Sequence, residues 1–425
     1  VKVSVETYGC TMNQGEGAEL ASRLRALGHE VVDNVSDADV VVLNTCTVIK
    51  ETEGRMIRRM KELGGSKRLI VVGCMASVQP DDIVRNAPGA LILAPRDYSS
   101  FSKMVESSFG RGDALPMAVH GAQVTSVLPV AQGCLGACTY CITRFARGLL
   151  SSYPMDEIVD SARSALRSGA RELLVTAQDT ACYGFDMGTD LSVLLDRITA
   201  LSGDFMVRVG MMNPDNLGKL IDRFVPSWTV PKVYQFIHLP VQSGSPKVLE
   251  RMNRGYAPGD FASLVRRLKE ASPEMTLSTD VITGFPGETE DDHRATVKLL
   301  RAVRPDIVNV TRFSPRKGTQ AARAKDQVPG RISKERSREL SKLRFEISRE
   351  INAALVGREE RVVVTEEGKN GTSIARTRSY KQVVLPGRLP LGTALDIEIT
   401  DSAPTHLFAR PCEGEGPRSR GEGKA

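Results

Sequence analysis

Along the first 110 residues, short apolar runs alternate with stretches whose apolar positions recur at helical spacing. Val3–Val5, Val40–Leu43 and Leu69–Val72 have the pattern of strands, and the last two are apolar enough to be buried on both faces. Glu16–Leu27 has the pattern of a helix, and helical patterns follow the later strands as well. This alternation predicts an open α/β sheet with parallel strands. Residues 111–124 form a polar, Gly-containing connector. The alternation then restarts with six apolar runs: Val127–Ala131, Leu173–Ala177, Met206–Gly210, Tyr234–Leu239, Thr276–Ile282 and Ile307–Phe313. Helix-like stretches such as Asp156–Ser168 and Asp291–Val303 separate them. Six βα units are too few to close an eight-stranded barrel, so the count predicts an open, partial one.

Residues 331–352 are highly charged, with Leu340, Leu343 and Ile347 at helical spacing. They predict a long surface helix whose polar face is solvated, direct substrate contact being the alternative. Beyond Gly357 the pattern changes. Arg361–Thr365, Thr372–Arg376, Gln382–Leu385 and Ala394–Ile399 are β-prone and are separated by Gly and Pro turns, which predicts a small all-β barrel. Residues 412–425 are too polar to pack and are expected to be disordered. The expected organisation is therefore an α/β domain over 1–110, a linker over 111–124, a partial (β/α)6 barrel over 125–356, a β-barrel over 357–411 and a tail.

Composition narrows the class. Of 425 residues, 25% are charged and 41% apolar, as in ordinary globular chains. A net charge of +6 permits nucleic-acid binding without demanding it. No apolar run is long enough to span a bilayer, and the opening VKVSVETYGC is strand-like, with none of the architecture of a signal peptide. A cytoplasmic protein with no membrane partner is expected. Eight cysteines in a chain this long do not make a disulfide scaffold and point to reduced thiols and metal.

Three of those cysteines, Cys134, Cys138 and Cys141, sit in GCLGACTYC directly after a strand. Zinc prefers four ligands and paired Cys-x2-Cys units, and no fourth ligand is near in sequence. A four-iron cubane normally takes four thiolates, so three from one loop leave one iron open to a small molecule. Cys10, Cys46 and Cys74 are far apart, yet each follows a predicted strand, in VETYGC, VVLNTC and VVGC. The carboxyl ends of parallel strands share one edge, where ligand crevices form. These three should therefore converge, as ligands of a second cluster, with three buried core cysteines as the alternative. Cys182 and Cys412 are assigned to neither set.

Several stretches together resemble the radical SAM methylthiotransferase family over residues 1–411: YGCTMNQGE, NTCTV, GCMA, GCLGACTYCITRFARG, VTAQDTACYG, RVGMMNP, HLPVQSGSPKVLERMNRGY, TDVITGFPGETEDD and RFSPRKGTQAA. The C-terminal barrel resembles the TRAM domain, an RNA-binding module. The resemblance implies two 4Fe-4S clusters. One, on Cys134, Cys138 and Cys141, would bind and reductively cleave S-adenosyl-L-methionine (SAM). The other, on Cys10, Cys46 and Cys74, would carry the sulfur. An electron donor and a sulfur donor are implied as partners. VETYGCTMNQGE, RVGMMNP and Arg144 in TRFARG look like the branch acting on tRNA bearing N6-threonylcarbamoyladenosine. The polar tail looks like that branch's archaeal type. Methylthiolation of a ribosomal protein aspartate and a non-catalytic iron–sulfur RNA-binding protein are the alternatives.

Other positions carry two readings each. Gln178 and Asp179 end the second barrel strand, where SAM would lie; Asp179 could equally cap a helix. Gly284, Pro286 and Gly287 pass near the SAM adenosine or simply make a turn. His238 faces the barrel mouth or is a hydrogen-bonded structural histidine. Arg144 receives the threonyl carboxylate or a tRNA phosphate. Arg376, Arg378 and Lys381, with Tyr380 among them, form either an RNA-contacting or a merely solvated hairpin.

Overall fold

The computed structural model describes residues 1–48, 50–113 and 124–412. Most of the expected linker, 114–123, and nearly all of the expected tail, 413–425, lie outside those residues.

Five strands build the first sheet: β1 (Lys2–Thr7), β2 (Glu30–Val31), β3 (Val40–Thr45), β4 (Arg68–Gly73) and β5 (Leu91–Leu93). All are parallel, in the order β2-β1-β3-β4-β5. Every residue of β3 is buried, because helices cover both faces of a parallel sheet. The short edge strands β2 and β5 escape the apolar pattern, since two or three residues carry no periodicity.

The chain continues through β6 (Thr125–Pro129), β7 (Ala131–Gln132), β8 (Ser151–Ser152), β9 (Glu172–Thr176), β10 (Met206–Val209), β11 (Phe236–His238), β12 (Thr276–Thr283) and β13 (Ile307–Arg312). The strands β6, β9 and β10 form one parallel arc and β11, β12 and β13 another. A parallel bridge between Val207 and Val233 joins them. Six barrel strands in sequential order make the open barrel that the apolar runs predict. Its core includes Leu173, Val207, Ile237 and Leu277. The helix Gly330–Ala353 lies along β13 and buries Leu340, Leu343 and Ile347 in that same core.

Five further strands, β14 (Glu359–Glu367), β15 (Ser373–Thr377), β16 (Gln382–Leu385), β17 (Ala394–Ser402) and β18 (Leu407–Pro411), close into a barrel in the order β14-β15-β16-β18-β17. The sequence pattern shows four of them; β18 completes the closure by pairing with both β16 and β17.

The turn between β15 and β16 corrects one expectation. Arg376 and Lys381 are engaged within the protein, while the Arg378 side chain stays exposed, its Nη2 3.4 Å from the Thr229 carbonyl. Lys381 Nζ donates to Asp306 Oδ1 at 2.7 Å and to Asn352 Oδ1 at 3.0 Å, so it is spent on the larger barrel and its long helix. Tyr380 packs against Tyr234 and Phe236, with ring centroids 4.8 and 5.2 Å apart. Arg376 lies over the Tyr380 ring and pairs with Glu366, and the Arg378 carbonyl accepts from Gln235 N. The turn thus seals the amino-terminal end of the open barrel. Composition marks its cations but cannot say what they face.

Both Lys381 and Asp306 are about nine-tenths buried, at 11% and 8% side-chain exposure. Lys381→Met keeps the stem and strands the Asp306 carboxylate. We expect a loss of about 3 kcal/mol, read as a lower denaturant midpoint. An unchanged midpoint would show that this contact does not hold the two barrels together.

Candidate functional site: two cysteine triads around one cavity

Cys10 caps the helix Thr11–Ala26 just beyond β1, Cys46 follows β3 directly, and Cys74 follows β4 and begins the helix Cys74–Val78. Because β1, β3 and β4 are neighbours, the three thiols stand along one edge. Gly9 holds a backbone with φ of 118°, and a Cβ there would sit 2.7 Å from Cys46 Cβ. Asn13 organises this edge: its amide donates to the carbonyls of Tyr8 (2.8 Å) and Thr45 (3.1 Å), and its Oδ1 lies 3.6 Å from Cys10 Sγ. Burial pushes the Cys46 thiol up, and the Cys74 thiol up to about 11, with Arg147 pulling Cys74 the other way.

The second triad lies on the loop after β7. Thr139 Oγ1 donates to the Arg251 carbonyl at 2.9 Å, and Asn253 Nδ2 to the Ala137 carbonyl at 2.9 Å. Gly136 N donates to Cys134 Sγ at 3.2 Å, and Arg254 Nη1 to Cys138 Sγ at 3.3 Å. Burial, then Asp179, pushes the Cys134 thiol up to about 11; burial also raises Cys141. Raised thiols hold their protons until a metal takes their place.

All six cysteines line one cavity of about 470 Å³. Among the described residues, no group of three or more His, Cys, Asp or Glu side chains is set to hold a single metal ion. A four-iron cluster is a larger object, and each of its thiolates binds a different iron. The donor set fits such clusters: three thiols apiece, with a backbone N–H and the Arg254 guanidinium pointing at sulfur.

One guanidinium joins the triads. Arg147 ends the helix Thr143–Arg147, directly after the second triad. It makes a two-pronged ion pair with Glu16, donates to Asn13 Oδ1 at 3.0 Å, and its positive charge pulls on the Cys74 thiol. The pair is buried, at 1% and 4% side-chain exposure. Burial pushes the Glu16 carboxyl up, against the pull of Arg147. Among the described residues the buried Arg147 Nε has no hydrogen-bond partner, and Arg147 lines this cavity.

The remaining expectations divide. Gln178 lines the cavity, and its Oε1 accepts from Gly133 N at 2.6 Å, steadying the start of the cysteine loop. Asp179 also lines the cavity, and its carboxylate acts as a cap, accepting from Ala181 N, Asn213 N and Asn216 Nδ2 at 3.1, 2.9 and 2.7 Å. Gly284 and Gly287 do not line the cavity. They make a turn against the long helix, where a Cβ on Gly284 would sit 2.5 Å from Ser333. His238 does face the cavity, with Nε2 3.0 Å from Asp280 Oδ1. Burial raises the Asp280 carboxyl, but His238 and Asn309 outweigh it and hold it below the ordinary range. Arg144 lines the mouth, exposed, with no ion pair among the described residues. Cys182 is a buried thiol donating to the Asp179 carbonyl, outside both triads.

Sequence reasoning missed Asn13, Arg147, Arg208 and Arg254. The only signal was adjacency: Arg147 lies six residues beyond Cys141, and Asn13 three beyond Cys10.

An open barrel of parallel strands with a three-cysteine loop at its mouth defines a radical SAM enzyme. Residues 128–300 match the radical SAM superfamily, 2–94 the uncharacterized protein family UPF0004 and 353–412 the TRAM domain. The chain is 43% identical to a probable threonylcarbamoyladenosine tRNA methylthiotransferase of Pyrococcus abyssi, over 91% of this chain and 94% of that one. It is 33% identical to the threonylcarbamoyladenosine tRNA methylthiotransferase of Homo sapiens, over 96% and 74%. The fold is shared with a radical S-adenosylmethionine methyltransferase, TsrM from Kitasatospora setae (TM-score 0.57, 15% identity, 76% of each chain). This chain belongs to the threonylcarbamoyladenosine tRNA methylthiotransferase family. No helix among the described residues is long and apolar enough to cross a membrane.

Removing one partner of a buried pair costs about 3–5 kcal/mol, whereas replacing both with apolar groups costs far less. Arg147→Met should therefore destabilise the apoprotein strongly, and adding Glu16→Leu should restore much of the loss. Chemical denaturation of Arg147→Met, of Glu16→Leu alone and of the double variant measures this. Additive losses would show that the pair does not carry the junction.

Proposed function

We propose that this chain converts N6-threonylcarbamoyladenosine beside the tRNA anticodon into its 2-methylthio derivative. The observation that carries the reading is the meeting of two separate cysteine triads on one cavity. The target is an aromatic C–H bond with no acidic proton and no leaving group, so two functions must meet there. With clusters bound, Cys134, Cys138 and Cys141 would present SAM for reductive cleavage, and Cys10, Cys46 and Cys74 would present the sulfur.

The chain's own residues supply the rest. Arg254 and Gly136 donate to the loop sulfurs, and Arg147 and Asn13 hold the sheet-edge triad against them. Arg144 stands at the mouth as an exposed cation, suited to a carboxylate entering with the threonyl group. Leu174 and Val175 give part of the cavity wall an apolar surface. An electron donor and a sulfur donor complete the reaction, and the TRAM-like barrel supports tRNA as the macromolecular substrate.

Anaerobically reconstituted protein should hold about eight irons if each triad takes a four-iron cubane. Replacing Cys134, Cys138 and Cys141 with Ala should halve the iron and abolish release of 5′-deoxyadenosine. Replacing Cys10, Cys46 and Cys74 should also halve it yet leave that release detectable. Full iron content in the second variant would remove the sheet-edge site. Nucleoside mass spectrometry of tRNA from cells with and without the gene tests the product: no difference in the 2-methylthio derivative would overturn the substrate assignment.

Arg144→Ala separates the two roles open to that residue. A selective loss on the threonylcarbamoyl substrate with tRNA affinity intact is expected. A loss that tracks tRNA affinity would leave only phosphate contact.

A further inference from the structure

Two of the three cations expected to meet RNA on the small barrel, Arg376 and Lys381, are engaged within the protein, and Arg378 alone makes a small electrostatic surface. The long helix Gly330–Ala353 supplies a larger one. Four of its cations, Lys334, Arg338, Lys342 and Arg349, are exposed and form no ion pair or hydrogen bond among the described residues. At 3.6 residues per turn, these four and Phe345 fall within an arc of about 80°. Glu335, Glu339, Glu346 and Glu350 fall on an adjoining arc. Three of those carboxylates are already paired, Glu335 with Arg331, Glu339 with His293 and Glu350 with Arg304. The opposite face, through Leu340, Leu343 and Ile347, is buried. The helix therefore sorts its charges: anions to one side, three of the four with partners, and cations left free in a row.

Phe345 lies in the middle of that row. It is 37% exposed, and the Arg344 guanidinium sits 4.5 Å from its ring centroid. An exposed aromatic flanked by unpaired cations is the arrangement on which nucleic-acid bases stack while phosphates are neutralised.

The row also runs in a useful direction. At its start, Ser333 Oγ donates to the carbonyl of Thr283, at the carboxyl end of β12, on the side where the cavity opens. Towards its end, Ser348 Oγ donates to the Asp306 carbonyl, just ahead of β13, and Asn352 Nδ2 to the Ala403 carbonyl of the small barrel. The cations from Lys334 to Arg349 thus span about 22 Å, from the mouth side of the large barrel towards the small one.

We propose that this helix face is a tRNA-backbone track, with Lys334, Arg338, Lys342 and Arg349 meeting phosphates and Phe345 stacking on an unpaired base. The proposal rests on tRNA being the substrate, and it locates contact outside the small barrel's central turn.

The test uses the full chain and an unmodified transcribed tRNA, so that binding is read apart from chemistry. The quadruple variant Lys334→Gln, Arg338→Gln, Lys342→Gln, Arg349→Gln should flatten the slope of log affinity against log salt by roughly 3. At 0.1 M salt its affinity should fall on the order of a hundredfold or more. A control removing four cations elsewhere, Arg85→Gln, Arg163→Gln, Arg197→Gln and Arg267→Gln, matches the change in net charge and should leave the slope nearly unaltered. Phe345→Leu should weaken binding about tenfold without changing the slope. An unaltered slope in the first variant, or an equal change in the control, would overturn the track. Unaltered affinity in Phe345→Leu would overturn the stacking role. Failure of the substrate assignment would appear instead as absence of the modified nucleoside with these binding results intact.

Discussion

The buried ion pair between Arg147 and Glu16 is the constraint on which the rest depends. A guanidinium and a carboxylate taken out of water are costly unless each fully satisfies the other. Here the two come from different domains, so satisfying them fixes one domain against the other. Arg147 also bonds Asn13 and its charge pulls on the Cys74 thiol, and Asn13 reaches the backbone beside Cys46. A single side chain therefore registers the sheet-edge triad against the loop triad. Two further contacts lock the arrangement: Arg316 pairs with Glu53, and Gly15 lets the helix Thr11–Ala26 approach Val127 on β6.

The open barrel is used at both ends. Its carboxyl end carries the cysteine loop and faces the first domain. Its amino end is stoppered by Tyr380 of the small barrel. Arg208 connects the two. It lines the cavity, and its guanidinium lies 4.9 Å from the ring centroids of both Phe236 and Tyr380. The small barrel is therefore packed against the open barrel rather than hung from it on a linker. With its central turn turned inward, the exposed helix that runs beside it becomes the cationic surface of that side.

Chemistry was legible where it is local. The Cys-x3-Cys-x2-Cys spacing is set by one loop, and the strand-end cysteines were legible because parallel strands share an edge by geometry. The six apolar runs of the large barrel could be counted because each is long enough to carry a pattern, while β2, β5 and β18 were too short or too mixed. Asp179 and Gly284 show the limit at single residues. An acidic residue after a strand and a glycine after another fit either a ligand contact or a turn, and only their neighbours decide. Asn213 and Asn216 claim Asp179, and Ser333 fills the space beside Gly284.

The sequence by itself determined the three-part architecture, the two cysteine triads and the family, because periodicity, spacing and motif are properties of neighbours along the chain. The tertiary structure alone decided which charges are spent and which are free. Lys381 and Arg147 are ordinary cations in a string of letters; one is buried against Asp306 and the other against Glu16, while Lys334 and Arg338 remain in water. The reason is physical. A charge's role depends on its solvation and its partners, and those come from residues distant in sequence that only packing brings together.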